Sequence, residues 1–72
     1  MPSAPEVPAA VPWHFVLTMQ FRDGTFGSVD GVTYAGPGTT RADVFTELRH
    51  RLVREAGQGG VVTFFTLEPN RL

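Results

Sequence analysis

The 72-residue sequence contains no cysteine, no lysine and no isoleucine. Without cysteine, neither a disulfide nor a zinc site built on thiolates can form. Small secreted folds usually depend on such links, so we expect a cytoplasmic location. All six basic residues are arginine, and the missing lysine and isoleucine have AT-rich codons. This coding pattern indicates a high-GC, bacterial genome.

The sequence also lacks a long apolar run and an excess of charge of one sign. No stretch approaches the ~18 apolar residues of a membrane-spanning helix. No basic segment followed by an apolar core marks a signal peptide, so we expect neither feature. The net charge of −1 does not favour a protein dedicated to the phosphate backbone of nucleic acid. A chain of this length forms at most one domain.

Side chains that could carry catalysis or hold a metal are few. His14 and His50 have no carboxylate at a spacing that forces a pair, and we interpret both as solvent-exposed. Neither Ser3 nor Ser28 lies in the glycine-flanked turn of a serine nucleophile. We therefore expect a protein that is not an enzyme, and we infer no metal, no cofactor and no small-molecule substrate.

Prolines cluster at the start of the chain, at positions 2, 5, 8 and 12. Proline lacks a backbone donor and keeps the chain extended. We interpret residues 1–12 as a disordered, proline-rich tail that precedes a single domain over residues 13–72. The alternative is that Pro5 and Pro8 form a Pro-x-x-Pro ligand for a proline-binding groove.

An amphipathic helix is predicted between Gly38 and Gly57. Thr40 is a candidate N-cap, and Asp43 completes a capping box three residues later. Gly57 is the expected end of the helix because glycine adopts the left-handed conformation at low cost. The apolar stripe consists of Val44, Phe45, Leu48, Leu52 and Ala56.

Three segments have the patterns of β-strands. Residues 13–21 have an apolar side chain at every odd position, which predicts a half-buried strand with Trp13, Phe15, Leu17, Met19 and Phe21 in the core. Residues 22–25 contain Asp-Gly and predict a hairpin turn into a second strand over 26–35. Residues 61–67 are apolar at both parities, which is typical of a central strand.

The second strand has one irregularity. Its alternation slips between Phe26 and Val29, and a bulge near Gly27 or at Asp30-Gly31 would absorb the slip. A second hairpin turn at Asp30-Gly31 is the alternative, with two short strands in place of one. We favour one bent strand because its length matches the first strand, and its glycines favour an edge of the sheet.

This order predicts an α+β fold of ββαβ topology, with a three-stranded mixed sheet in the order 2-1-3 and one helix on one face. We expect the first and last strands to run parallel. The hairpin, the helix entry at Pro37 and Thr40 and the following strand resemble the β-grasp fold of ubiquitin-like domains. The resemblance covers Phe15 to Leu67, and it does not imply conjugation because the Gly59-Gly60 pair is internal.

The segment from Phe64 to Asn70 is also similar to segments of short proteins of high-GC bacteria, a likeness that implies no activity. Phe64 and Phe65 are adjacent, so they point to opposite faces of the sheet. One helix covers one face, and one of the two must therefore lie on the open face. The predicted interaction residues are Val16, Val32, Tyr34, Phe64 and Phe65.

An exposed apolar patch usually marks a contact surface. Our first hypothesis is therefore a small protein-interaction module that forms a homodimer, or binds another protein, through the open face or the edge of the second strand. The alternatives are that the tail covers the patch, or that the patch is small and tolerated.

The second hypothesis is a nucleic-acid-binding accessory protein. It would use Arg49, Arg51 and Arg54, with the exposed phenylalanine stacking on bases. Acidic residues interleave with these arginines and the total charge is negative, which favours an ordinary solvated helix face instead.

Overall fold

The computed structural model describes residues 10–72 of the chain. The elements are β1 (Val11–Phe21), β2 (Phe26–Ala35), α1 (Arg41–Ala56) and β3 (Gly60–Pro69). Within residues 10–72 the strands form one sheet in the order β2-β1-β3, and α1 packs on one of its faces. This arrangement confirms the predicted α+β fold, its ββαβ topology and its strand order.

β1 begins earlier than predicted. Val11 and Pro12, which we had assigned to the tail, belong to the strand and lie opposite Ala35 and Tyr34 of β2. Proline is tolerated near the start of a strand, and the Pro12 carbonyl accepts a hydrogen bond from the backbone N–H of Asn70 at 3.1 Å. Residues 1–9, including the Pro-x-x-Pro motif, lie outside the described residues.

The orientation of β3 differs from the prediction. β3 runs antiparallel to β1, so within residues 10–72 the sheet is antiparallel throughout and not mixed. A strand–helix–strand crossover returns the chain in its original direction, which makes β3 parallel to β2. Because β2 is antiparallel to β1, β3 must be antiparallel to β1 as well. The described sheet therefore contains no parallel pair of strands.

The core lies between the odd-numbered side chains of β1 and one stripe of α1. The buried residues are Phe15, Leu17, Met19, Phe21, Val44, Leu48 and Leu52. Trp13, predicted in the core, is half-buried, and Ala56, predicted in the stripe, is exposed. Residues spaced by four rotate by about 40° per step around a helix. The stripe that starts at Val44 has therefore turned away from the sheet by Ala56.

The ends of α1 follow the prediction. The Thr40 hydroxyl accepts from the backbone N–H of Asp43 at 3.1 Å, and the Asp43 carboxylate accepts from the backbone N–H of Thr40 at 3.0 Å. Gly57 ends the helix with φ 71° and donates to the Val53 carbonyl at 2.9 Å. These contacts pair backbone groups that a helix end otherwise leaves free.

β2 is one continuous strand, as we favoured, and it lies at an edge of the sheet. Its pairing with β1 shows no register shift, so the predicted bulge near Gly27 or at Asp30-Gly31 is not there. The two glycines lie on the helix side of the sheet. A side chain at Gly27 would meet the ring of Phe21 at 2.5 Å, and the ring of Phe15 lies next to Gly31. The rings of β1 therefore fill the space that the glycines leave.

The bulge of this sheet is in β3. Thr18 lies opposite Phe64 while the next residue, Met19, lies opposite Val62, which leaves Thr63 as the extra residue. The bulge switches the parity of β3, so Val62 and Phe65 both face the helix. This switch explains why β3 is apolar at both parities although it is an edge strand and not, as predicted, a central one.

Candidate functional site

The open face of the sheet carries the even-numbered side chains of β1 and β2 and, beyond its bulge, of β3. Val16 lies on the central strand, with Val32 and Phe64 at diagonal positions on its two neighbours. Tyr34 follows Val32 along β2. Val32, Phe64 and Tyr34 are 45%, 54% and 69% exposed. Four of the five predicted interaction residues therefore share this face.

Polar side chains interrupt the apolar residues of the open face. Asp30 and Thr66 flank Val16 on the two neighbouring strands. Thr18 and Ser28 face each other across the sheet, and their hydroxyl oxygens are 2.9 Å apart. The apolar side chains of the open face, which also include the exposed Phe26 and Val61, are thus interrupted by polar side chains.

Phe65 does not belong to the predicted interaction surface. It lies opposite Leu17 on the helix side of β3 and is half-buried. Its ring meets the ring of Phe45 edge to face, with the centroids 5.1 Å apart. The guanidinium carbon of Arg41 lies 4.6 Å from the centroid of the same ring. Phe65 therefore ties α1 to β3, and Phe64 is the phenylalanine of the open face.

The outer edge of β2 is determined by the hairpin. The backbone N–H of Phe21 donates to the Thr25 carbonyl at 2.8 Å, so odd-numbered residues of β1 bond towards β2. Their partners in β2, beginning with Gly27, are odd-numbered as well. Backbone groups alternate between the two sides of a strand. The residues whose N–H and C=O groups point outward are therefore Phe26, Ser28, Asp30, Val32 and Tyr34.

The position of Pro12 agrees with this alternation. Pro12 has no N–H, lies opposite Tyr34 and bonds through its carbonyl to Asn70 on the other side of β1. Tyr34 consequently receives no backbone hydrogen bond from β1 and directs its own groups outward. The residues of β2 whose side chains lie on the open face are therefore the same residues whose backbone groups point outward.

No described residue pairs with the outer edge of β2. The strand spans ten residues without a proline or a bulge. Native proteins usually protect such an edge with a bulge, a proline, a lysine or a covering loop. Asp30 is the sole charged residue of β2. The edge is therefore long, regular and weakly protected.

The outer edge of β3 is protected in three ways. Its regularity is broken by the bulge at Thr63. Pro69 has no N–H, and the neighbouring Asn70 already bonds to β1, so the missing donor of Pro69 faces outward. The Gly60 carbonyl accepts a hydrogen bond from Arg49 of α1 at 3.4 Å. The two edges of the sheet consequently differ in their capacity to bind another strand.

The three helix arginines of the second hypothesis do not form one surface. Arg49 is half-buried and reaches the backbone of Gly60, whereas Arg54 is exposed in the last helical turn. Arg49 and Arg51 are two residues apart, so they project about 200° from each other around the helix. The contact of Arg49 with β3 was not predicted, because only the folded topology brings Gly60 beside the helix.

The hairpin turn holds a hydrogen-bonded carboxylate. Asp23 accepts from the Thr25 hydroxyl at 2.6 Å, from Gln58 at 3.1 Å and from the Thr25 backbone N–H at 3.0 Å. These donors, with the Thr25 hydroxyl first, lower the pKa of Asp23 from 3.8 to about 2. The contact with Gln58 joins the hairpin turn to the loop between α1 and β3. The sequence indicated the turn but not this link.

A cavity of about 330 Å³ opens where β1 begins and α1 starts. Apolar side chains dominate its lining, including Trp13, Val44 and Leu67, and Arg41 lies at its border. Trp13, which is half-buried, lines this cavity. Its lining residues come from three separate stretches of the chain, so sequence spacing gave no signal for it.

Residues 10–72 contain no group of three or more histidine, cysteine, aspartate or glutamate side chains that could hold a metal ion. Both histidines are exposed, and His14 lies opposite Glu68 of β3, a neighbour that only the strand register reveals. In the described part of the chain, no helix is long and apolar enough to cross a membrane.

Comparison with family models, curated proteins and solved structures finds no match for this chain. Within residues 10–72, the two edges of the sheet differ in how well they are protected.

Proposed function

We propose that this chain is a non-enzymatic, cytoplasmic protein-interaction module that self-associates through the outer edge of β2. The observation that carries this proposal is the contrast between the two edges. β3 ends in Pro69, contains a bulge and has a carbonyl bonded to Arg49. β2 has none of these features, and no described residue pairs with the backbone groups along its outer edge.

An added strand suits this edge better than a partner sheet suits the open face. A second strand would bond to backbone groups that otherwise remain solvated, which gives both affinity and a defined register. Val32, Tyr34 and Phe26 belong to the same edge residues and are exposed, so they would contact the neighbouring side chains of the added strand. On the open face itself, polar side chains such as Thr18 and Thr66 interrupt the apolar groups.

A proline at an outward position tests the edge directly. Val32→Pro removes one outward N–H and places a ring at the edge, but it breaks no hydrogen bond to β1. Val32→Ala is the matched control, because it shortens the same side chain and keeps the N–H. We expect the molar mass from light scattering to fall to that of the monomer for the proline variant alone.

Circular dichroism should show the same secondary structure in both variants. Equal masses for Val32→Pro and Val32→Ala, whether dimeric or monomeric, would contradict pairing through this edge. A dimer that instead dissociates on Phe64→Asp would assign the interaction to the open face.

A further inference from the structure

We propose that two copies of the chain pair through β2 in one particular antiparallel register, in which Ser28 of each copy lies opposite Asp30 of the other. This inference rests on the proposed function and deepens it. Two identical strands that pair antiparallel are related by a two-fold axis, so each contact of residue i with residue j occurs twice. Only a few registers bring the outward groups of both strands together.

The register with full overlap places Asp30 opposite Asp30 of the second copy. All five outward residues of each strand, Phe26 to Tyr34, would then be paired. The side chains of such a pair project to the same face at a distance of about 5 Å. Two carboxylates at that distance repel each other, and no described residue of β2 supplies a compensating cation. The charge of Asp30 therefore acts against full overlap.

A shift by two residues relieves this repulsion, and its direction is decided by the side chains. In one direction Ser28 faces Asp30, so its hydroxyl can donate to the carboxylate in place of its long 3.3 Å bond to the Leu17 carbonyl. The same shift places Phe26 opposite Val32, which are both exposed and apolar. About eight backbone hydrogen bonds result, two for each of the four pairs.

The opposite shift is less complementary. It places the Asp30 carboxylate against the apolar side chain of Val32, and Ser28 against Tyr34, and it leaves Phe26 beyond the paired region.

On the helix side the favoured register brings Val29 of both copies together at the two-fold axis. Val29 is half-buried against the core, so the contact would extend the core from one copy to the other.

Cysteine cross-linking distinguishes the registers, because the chain has no cysteine of its own. Opposed residues that exchange both hydrogen bonds have Cα atoms about 5.5 Å apart, within disulfide range, whereas a two-residue offset exceeds that range. Val32→Cys is mixed with Phe26→Cys to report the proposed register, and with Ser28→Cys to report full overlap. Ser28→Cys mixed with Tyr34→Cys reports the opposite shift. None of these variants changes Asp30.

Under mild oxidation we expect about tenfold more cross-linked dimer from the Val32→Cys and Phe26→Cys mixture than from either other mixture or from any variant alone. The strongest cross-linking in another mixture would overturn the register. The molar mass of the unmodified chain separates the two proposals: a dimer that cross-links elsewhere refutes only the register, whereas a monomer at every concentration refutes the proposed function and the register with it.

Discussion

At the scale of single residues, the adjacent side chains of Phe64 and Phe65 differ in exposure and packing. Phe65 packs against Phe45 and lies beneath Arg41, whereas Phe64 is more than half exposed on the open face. We expect Phe65→Ala to lower the free energy of unfolding by about 2 kcal/mol, because a half-buried aromatic ring is lost. Phe64→Ala should change it by less than about 0.5 kcal/mol.

Urea denaturation followed by the fluorescence of Trp13, the single tryptophan, measures both values. The comparison is well controlled because the two variants remove the same group from neighbouring positions. Equal destabilisation by the two substitutions, or a larger effect at position 64, would contradict the assignment of the faces.

Asp23 gives a prediction for the pH dependence of stability. Its pKa falls from 3.8 to about 2 in the folded chain, with the Thr25 hydroxyl as the main cause. The folded chain therefore binds the proton less tightly than the unfolded chain. The contribution of Asp23 to stability is complete above pH 3.8 and is lost as the pH falls towards 2.

We expect Asp23→Asn to reduce the loss of melting temperature between pH 4 and pH 2, since asparagine has no proton to gain. The effect should be small because the carboxylate is exposed to solvent. Circular dichroism melting curves across this range measure it. Identical pH profiles for the variant and the unmodified chain would show that Asp23 does not contribute to the acid transition.

At the scale of elements, Gly59 and Gly60 in the connection before β3 differ in their steric surroundings. An added Cβ at Gly60 would overlap the backbone of Gln20, whereas one at Gly59 meets no atom within 4 Å. We expect Gly60→Ala to destabilise the fold by about 2 kcal/mol or more, because backbone atoms cannot rotate away as a side chain can. The effect of Gly59→Ala should stay below about 0.5 kcal/mol.

Chemical denaturation of these two variants provides the measurement. If Gly59→Ala were as damaging as Gly60→Ala, flexibility of the connection would matter more than the close approach of β3 to β1. The structure assigns a steric requirement to one of its glycines.

The elements with local signals were the predictable ones. The capping signals of α1 and the apolar alternation of β1 lie in residues that are close in sequence, and both elements are confirmed. The direction of β3 depends on how the crossover returns the chain. The prediction makes β3 parallel to β1, whereas the crossover makes β3 parallel to β2. The bulge at Thr63 had a signal, namely apolar residues at both parities, but we attributed that signal to a central strand.

At the scale of the whole molecule, the candidate site was predicted only in part. Adjacent phenylalanines and a single predicted helix indicated an exposed ring, and the structure identifies it as that of Phe64. The contrast between the two sheet edges could not be predicted, because it depends on tertiary contacts such as the one from Arg49 to Gly60. Strand register also decides which backbone groups of β2 point outward.

Amide hydrogen exchange, measured by NMR at high and low protein concentration, shows whether the outward backbone groups of β2 pair with a second copy. The amides of Ser28, Asp30 and Val32 point outward, so they should exchange slowly only when the concentration favours the dimer. The amides of Val29 and Thr33 bond to β1 and should exchange slowly at both concentrations. Rapid exchange of the outward amides at every concentration would contradict pairing through β2.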